Sequence, residues 1–234
     1  MTNPTIASRA EWLEARKALL EQEKAHTKQK DALAEARRNL PWVKIDKTYR
    51  FQTTEGEKTL GQLFGPRSQL ITYHFMFGPE WENPCKSCSF WADSYNGLSP
   101  HLGARDVAFV AVSSAPLERL TAFKDRMGWD FEWVSSFGSD FNFDYDVGFG
   151  PDRPKEMSRA YNFGTIADAP IDEMHGTSVF AKGDDGSVFH TYSMYGRGLD
   201  TTNAAYSYID LTPKGRSEPA EGNPMAWLEY HDAY

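Results

Sequence analysis

Two nearly continuous apolar runs, QLITYHFMF (residues 69–77) and DVAFVAVSS (residues 106–114), constrain this chain more than any other feature. A strand with one wet face alternates apolar and polar residues. These runs do not alternate, so both of their faces are expected to be buried. Between them lies CSFWADSYNGLSPHLG, whose Phe90, Trp91, Tyr95 and Leu98 recur near helical spacing, which predicts a helix over 88–103. After the second run, PLERLTAFKDRMG opens on Pro116 and ends at Gly128, the punctuation of a helix. FEWVSSF supplies a short strand after that. Strand, helix, strand, helix predicts parallel strands joined by right-handed crossovers, and hence an α/β class.

The pattern changes further on. GTSVFAKGDDGSVFHTYSMY has two alternating stretches around GDDG, the signal of a β-hairpin, and LDTTNAAYSYIDL follows as a covering helix. A long insertion, residues 138–170, precedes the hairpin; loops of that length are often functional. Residues 1–50 read as a helical extension. Ser8 and Glu11 fit a capping box, a charged helix runs to about Arg38, and Asn39 to Pro41 stop it. Its apolar residues thin out after Leu20, so it is expected to be a solvated helix with one thin apolar edge, able to build a homo-oligomer. The expected organisation is therefore an extension over 1–50, a main domain over 51–215, and a Pro/Gly/Glu-rich tail over 216–234 that ends in docking aromatics. No internal repeat is visible.

Composition narrows the function. A formal charge of −8 argues against nucleic-acid binding, which needs a basic surface. No apolar run of about 18 residues spans a membrane, and the N-terminus has no signal-peptide pattern. The expected setting is cytoplasmic, where thiols stay reduced and a disulfide is more often catalytic than structural.

The two cysteines of the chain, Cys85 and Cys88, stand in ENPCKSCSFWADSYNG. They admit three readings: a redox pair, part of a metal site, or two inert buried sulfurs. Two cysteines cannot make an all-cysteine zinc or iron–sulfur site, and none of the six histidines forms a zinc-finger pair. A copper site from two thiolates and a distant histidine stays open; no metal or cofactor is expected. The redox reading fits better. With a helix starting near Cys85, first-turn amides favour a thiolate there, and Cys88 lies one turn on, within disulfide range. Lys86 between them should lower the Cys85 pKa further, and Pro84 is acceptable at a helix start. The pair also sits beyond the C-terminal end of a central strand, where α/β sheets place their sites. Other signals are weaker. DFNFDYDVGFGP (Asp140 to Pro151) starts like a calcium loop but has Tyr145 where glycine and Pro151 where glutamate is required. Arg197, in YGRGL, is expected to turn the chain, with anion binding as the alternative.

In the order strand, CxxC helix, strand, helix, hairpin, closing helix, the chain resembles the thioredoxin superfamily over roughly residues 58–211. More specifically, YHFMFGPEW, CKSCSFWAD, WVSSFGSDFN, VFHTYSMYGRGLD and YIDLTPKGR resemble an uncharacterised bacterial thioredoxin-like family (domain of unknown function 899) along nearly the whole chain. The resemblance implies a thioredoxin-like fold, a central mixed sheet flanked by helices, with an added N-terminal helix and an insertion before the hairpin. It also implies Cys85 as the attacking thiol and Cys88 as the resolving one. Trp81 resembles the aromatic before the thioredoxin motif, although it stands four positions ahead of Cys85. Thioredoxins place a cis-proline where this chain reads MHGTSVF. Here His175 or Gly176 stands instead, with Thr177 next, and Pro170 lies further upstream. Against the peroxiredoxin pattern, Glu82 replaces the expected threonine and Gly78 the expected proline, with Pro79 one place off.

The expected function is a thiol–disulfide oxidoreductase acting on a small thiol, a peroxide or a protein disulfide. The alternatives are a non-catalytic ligand- or metal-binding thioredoxin-like module and a peroxiredoxin-like peroxidase.

Overall fold

The computed structural model describes residues 4–149, 161–165, 171–219 and 221–234. The chain forms two compact units, residues 1–41 and 42–234. The first is a single helix, Arg9–Arg38 (α1). Its capping box is present: the Ser8 amide donates to Glu11 at 2.8 Å and the Glu11 amide to the Ser8 hydroxyl at 3.3 Å. Pairs such as Lys17–Glu14 and Lys24–Glu21 decorate it, and none of its residues is buried. Among the described residues no helix is long and apolar enough to cross a membrane.

The second unit is built on a mixed sheet. Its strands are Val43–Lys44 (β1), Arg50–Thr53 (β2), Gly56–Thr59 (β3), Gln69–His74 (β4), Val107–Ser113 (β5), Glu132–Ser135 (β6), Gly176–Lys182 (β7) and Val188–Tyr195 (β8). Among the described residues they lie in the order β1-β8-β7-β4-β5-β6-β2-β3. β4, β5 and β6 are parallel, as the crossovers require, whereas β7 runs antiparallel to β4 and pairs with β8 as a hairpin. The fold is thioredoxin-like: a central mixed sheet flanked by helices, with the added N-terminal helix in place.

The two apolar runs are continuous because the sheet has a core on each face. Along β5, Phe109 and Ala111 point into one cluster while Val110 and Val112 point into the other. The first cluster gathers Tyr73, Phe75, Trp91, Trp129 and Trp133 with Lys86–Ala92 (α3) and Leu117–Met127 (α5). The second gathers Phe51, Leu70, Val134, Phe141 and Phe180. Side chains of this size each stabilise by about 1.5–3 kcal/mol on burial.

The helix expected over 88–103 is instead two, α3 and Leu98–Gly103 (α4). Gly97 between them adopts φ 72°, left-handed backbone that glycine tolerates, and its amide donates to Asp130 at 3.0 Å. Asn96 anchors the same break, donating to the Gly128 carbonyl and accepting from the Asp130 amide. The covering helix is also shorter than its sequence run, Ala204–Ile209 (α7) after a 3-10 segment; Phe141–Asp144 (α6) and Leu60–Leu63 (α2) are single turns. Residues 150–160 and 166–170 of the 138–170 insertion, Pro151 and Pro170 among them, lie outside the described residues.

Candidate active site

Beyond the end of β4 the chain runs through Phe75 to Pro84 and turns into α3. The Cys85 amide donates to the Met76 carbonyl at 3.0 Å, which fixes the turn, and Cys85 becomes the N-cap of α3. Its carbonyl accepts from the Ser89 amide at 3.0 Å, so the first helical bond starts at the cysteine itself. Its sulfur accepts from the Cys88 amide at 3.5 Å. Both cysteines are free thiols, Cys85 half-buried and Cys88 buried.

The two sulfurs are electrostatically unlike. The Cys85 thiol is brought down from 9.0 to about 7, first by the hydrogen bond from the Cys88 thiol, then by the amides of Cys88 and Ser87 against the opposing effect of burial. Burial pushes the Cys88 thiol well up, and its hydrogen bond to Cys85 adds to that. Beneath them the buried Tyr73 hydroxyl donates toward the Cys88 carbonyl at 3.5 Å. The outer sulfur is therefore the more acidic of the two, and the inner one is held as a neutral thiol.

Lys86 takes a different part from the one its position suggests. Its ammonium pairs with Glu229, and the depression of Cys85 comes from hydrogen bonds. Glu229 belongs to a C-terminal strap that pins both ends of α3. At the start of the helix the Tyr230 hydroxyl donates to the Pro84 carbonyl at 2.7 Å. At its end Asp93 accepts from His231 at 2.6 Å and from Trp129 at 2.8 Å. Arg126 holds Asp232 through two bonds of 2.8 and 3.0 Å, and the Trp227 ring packs edge-on to Phe90. The sequence showed that the tail aromatics would dock; that they dock on the CxxC helix is a finding of the structure.

The other expected site residues divide between the two faces of the sheet. Thr177 pairs in register with Tyr73 and Met194, both in the cluster around Cys88, so it shares the face of the cysteines. Gly176 pairs with His74 and Tyr195 and lies on the opposite face. A Cβ there would come within 2.7 Å of the Tyr195 ring, so close packing holds this position as glycine. His175 packs its ring 6.0 Å from Trp91 of α3, and burial lowers its pKa, which keeps it neutral. Trp81 folds back over Gly78 and packs against the cluster that includes Cys85. In Asp140 to Pro151, Asp140 and Asp144 are both engaged by Lys47, at 2.7 and 2.6 Å. Arg197 pairs with Asp200 at 3.2 Å within its own turn.

One buried acid went unnoticed in the sequence. Glu173 is 5% exposed, accepting from the Ser114 hydroxyl on one oxygen and from Asn142 at 3.3 Å on the other. Burial raises its pKa to about 7. Nothing in IDEMHG marks this glutamate as interior, because its partners come from segments 59 and 31 positions away.

The model of a family described as bacterial protein of unknown function (DUF899) matches residues 1–234. No curated protein matches the chain significantly. Among solved structures, the chain is similar to the bacterioferritin comigratory protein of Xanthomonas campestris, at 16% identity over 71% of this chain and 96% of that one, TM-score 0.46. It is also similar to a cysteine-to-serine mutant of PrxQ from Xylella fastidiosa (16% identity, 73% and 96% covered, TM-score 0.45). A third is the peroxidoxin BcpB of Mycobacterium tuberculosis (12% identity, 73% and 97% covered, TM-score 0.42).

Proposed function

We propose that this chain, which belongs to the family of bacterial proteins of unknown function DUF899, is a dithiol–disulfide oxidoreductase in which Cys85 attacks and Cys88 resolves. The observation that carries this reading is the asymmetry of the pair. A half-buried sulfur, lowered to about 7, caps α3, and a buried neutral thiol one turn on donates to it.

The chemistry follows from that asymmetry. The Cys85 thiolate attacks one sulfur of a substrate disulfide; a Cys85–substrate S–S bond forms, the substrate S–S bond breaks, and the distal thiolate leaves and takes up a proton. Once Cys85 is in the mixed disulfide its charge is gone, and with it the part of the Cys88 elevation that the Cys85 charge adds to burial. Cys88 then loses its proton and attacks Cys85, forming the intramolecular disulfide and releasing the second substrate thiol. The substrate gains two electrons and the chain loses two, which an external dithiol must restore. With a peroxide, the same thiolate would attack one oxygen, breaking the O–O bond and releasing water or an alcohol, and the Cys88 thiol would condense with the resulting sulfenic acid to form the Cys85–Cys88 disulfide and release water. Small thiols, peroxides and protein disulfides are the substrate classes this pair can serve, in a soluble setting without nucleic acid.

The test is turnover of a dithiol-coupled disulfide assay by the parent chain, Cys85→Ser and Cys88→Ser, with the mixed disulfide of Cys88→Ser trapped for mass analysis. Parent activity, loss of turnover in both variants and an adduct on Cys85 are expected. If Cys85→Ser turns over as fast as the parent, or mild oxidant forms no Cys85–Cys88 disulfide, the reading fails and a binding module is left.

A further inference from the structure

The loop from β4 to Cys85 also borders a cavity. Residues Gly78 to Trp81 form one wall of a cavity of about 670 Å³, within the size range of small-molecule sites. Trp81, Phe137 and Phe143 give it aromatic surface, while Ser114, Ser136 and Asn142 surround its one buried acid, Glu173.

Among the described residues the donors to that carboxyl are neutral. Ser114 bonds one oxygen and Asn142 the other, and Asn142 is itself oriented by Ser136, whose hydroxyl donates to the Asn142 side-chain oxygen at 2.9 Å. Among the described residues no lysine or arginine lines the cavity. Burying a carboxyl without a counter-charge is unfavourable, and the raised pKa of Glu173 records that cost. A carboxyl so placed is complementary to a cation brought in from outside. A bare metal ion does not fit: among the described residues no group of three or more His, Cys, Asp or Glu could hold one. The aromatic faces instead suit a cation carrying a carbon skeleton, which they attract through their quadrupoles and by apolar contact.

We propose that this cavity binds an organic ammonium ion, its charged nitrogen on the Glu173 carboxyl and its carbon skeleton against Trp81 and Phe143. The site does not depend on the thiols, since neither cysteine lines it.

Calorimetric titration of the full chain at about pH 8, where the carboxyl is ionised, tests the assignment with three probes of one skeleton: 2-phenylethylammonium, 2-phenylethanol and 3-phenylpropanoate. The ammonium should bind, with the alcohol and the carboxylate at least about tenfold weaker. Glu173→Gln should lose the ammonium preference by about the same factor, and Trp81→Leu should weaken all probes that bind. Affinity for the ammonium should rise between about pH 6 and 8 as the carboxyl ionises. Cys85→Ser should bind as the parent does, which separates this test from failure of the redox reading. Equal binding of alcohol and ammonium, unchanged binding in Glu173→Gln, or no heat with the ammonium would each overturn the assignment. If Glu173→Gln does not fold, the probe comparison on the parent chain decides.

Discussion

Removing the Cys88 side chain should make Cys85 slower at neutral pH and faster in alkali. Cys85 sits at about 7 in place of the ordinary 9.0, and the hydrogen bond from the Cys88 thiol is the largest cause. At pH 7 a group at about 7 is about half thiolate, whereas one at the ordinary value is about 1% thiolate. Complete loss of the depression would therefore cut the reactive fraction by about fiftyfold. A more basic thiolate is also a better nucleophile. With a Brønsted coefficient of about 0.4–0.5, the restored basicity returns about six- to tenfold per thiolate. The net fall is bounded at about five- to eightfold, and it should be smaller, because Cys88→Ala keeps the amides of Cys88 and Ser87 that also stabilise the charge. Near pH 10, where both proteins are largely ionised, only the nucleophilicity term survives, and the variant should react faster than the parent. The assay is the rate of iodoacetamide alkylation across the pH range, followed by intact mass; the burial of Cys88 keeps a second addition slow in the parent. Crossing pH profiles support the reasoning. Superimposed profiles would refute it, since the Cys88 hydrogen bond would then not be what holds Cys85 down.

Three further outcomes are expected. Lys86→Met should leave the Cys85 alkylation midpoint where it is and cost less than about 1 kcal/mol in a urea titration, because its pair with Glu229 is solvent-exposed; a clear rise in the midpoint would restore the lysine as a thiolate partner. Tyr230→Phe leaves the Pro84 carbonyl without its donor and should cost about 1–2 kcal/mol by urea unfolding, with faster Cys85 alkylation as the strap loosens. Equal stability would mean that the strap is not anchored there. Glu173, raised from 4.5 to about 7 in the folded chain, makes the native state bind more protons than the unfolded one between those values. Stability should therefore fall as pH rises through that window and level off above it. Glu173→Gln removes the fall, so its advantage over the parent should grow from near zero at about pH 4.5 toward an upper bound of about 3 kcal/mol at about pH 8. Parallel stability curves for the two proteins would show that the burial of this carboxyl is not uncompensated.

Much of the core was legible because its signal is local. β4 and β5 declare two buried faces in their own composition, α1 carries its capping box within four residues, and Gly186 at φ 81° sits in the GDDG turn that the hairpin pattern marked. The CxxC pair was legible for the same reason, as both thiols fall within one turn at the end of an apolar strand. What stayed hidden depends on distant partners. Lys86 meets Glu229 across 143 positions, and the paired charges carry no mark of each other in the sequence. Strands β1 and β2 are short and half-polar, and they exist because β8 and β6 offer open edges, with Val43 opposite His190 and Gln52 opposite Ser135. The break at Gly97 was overlooked because the apolar spacing continues across it, while Asp130, which holds it, lies on another segment.

The placement of β1 to β3 has a consequence for how the protein is made. Residues 43–59 put a strand on one margin of the sheet and a hairpin on the other, so a single early stretch borders the whole sheet. On the ribosome this stretch emerges long before either partner. β2 must wait for Ser135, and β1 for His190 in the last strand of the sheet. Until then the margins of β6 and β8 stay open to other chains, and closing them requires contacts between residues far apart in sequence, which are slow to form. Of the described strands, the earliest in the sequence, β1, thus waits for the latest, β8.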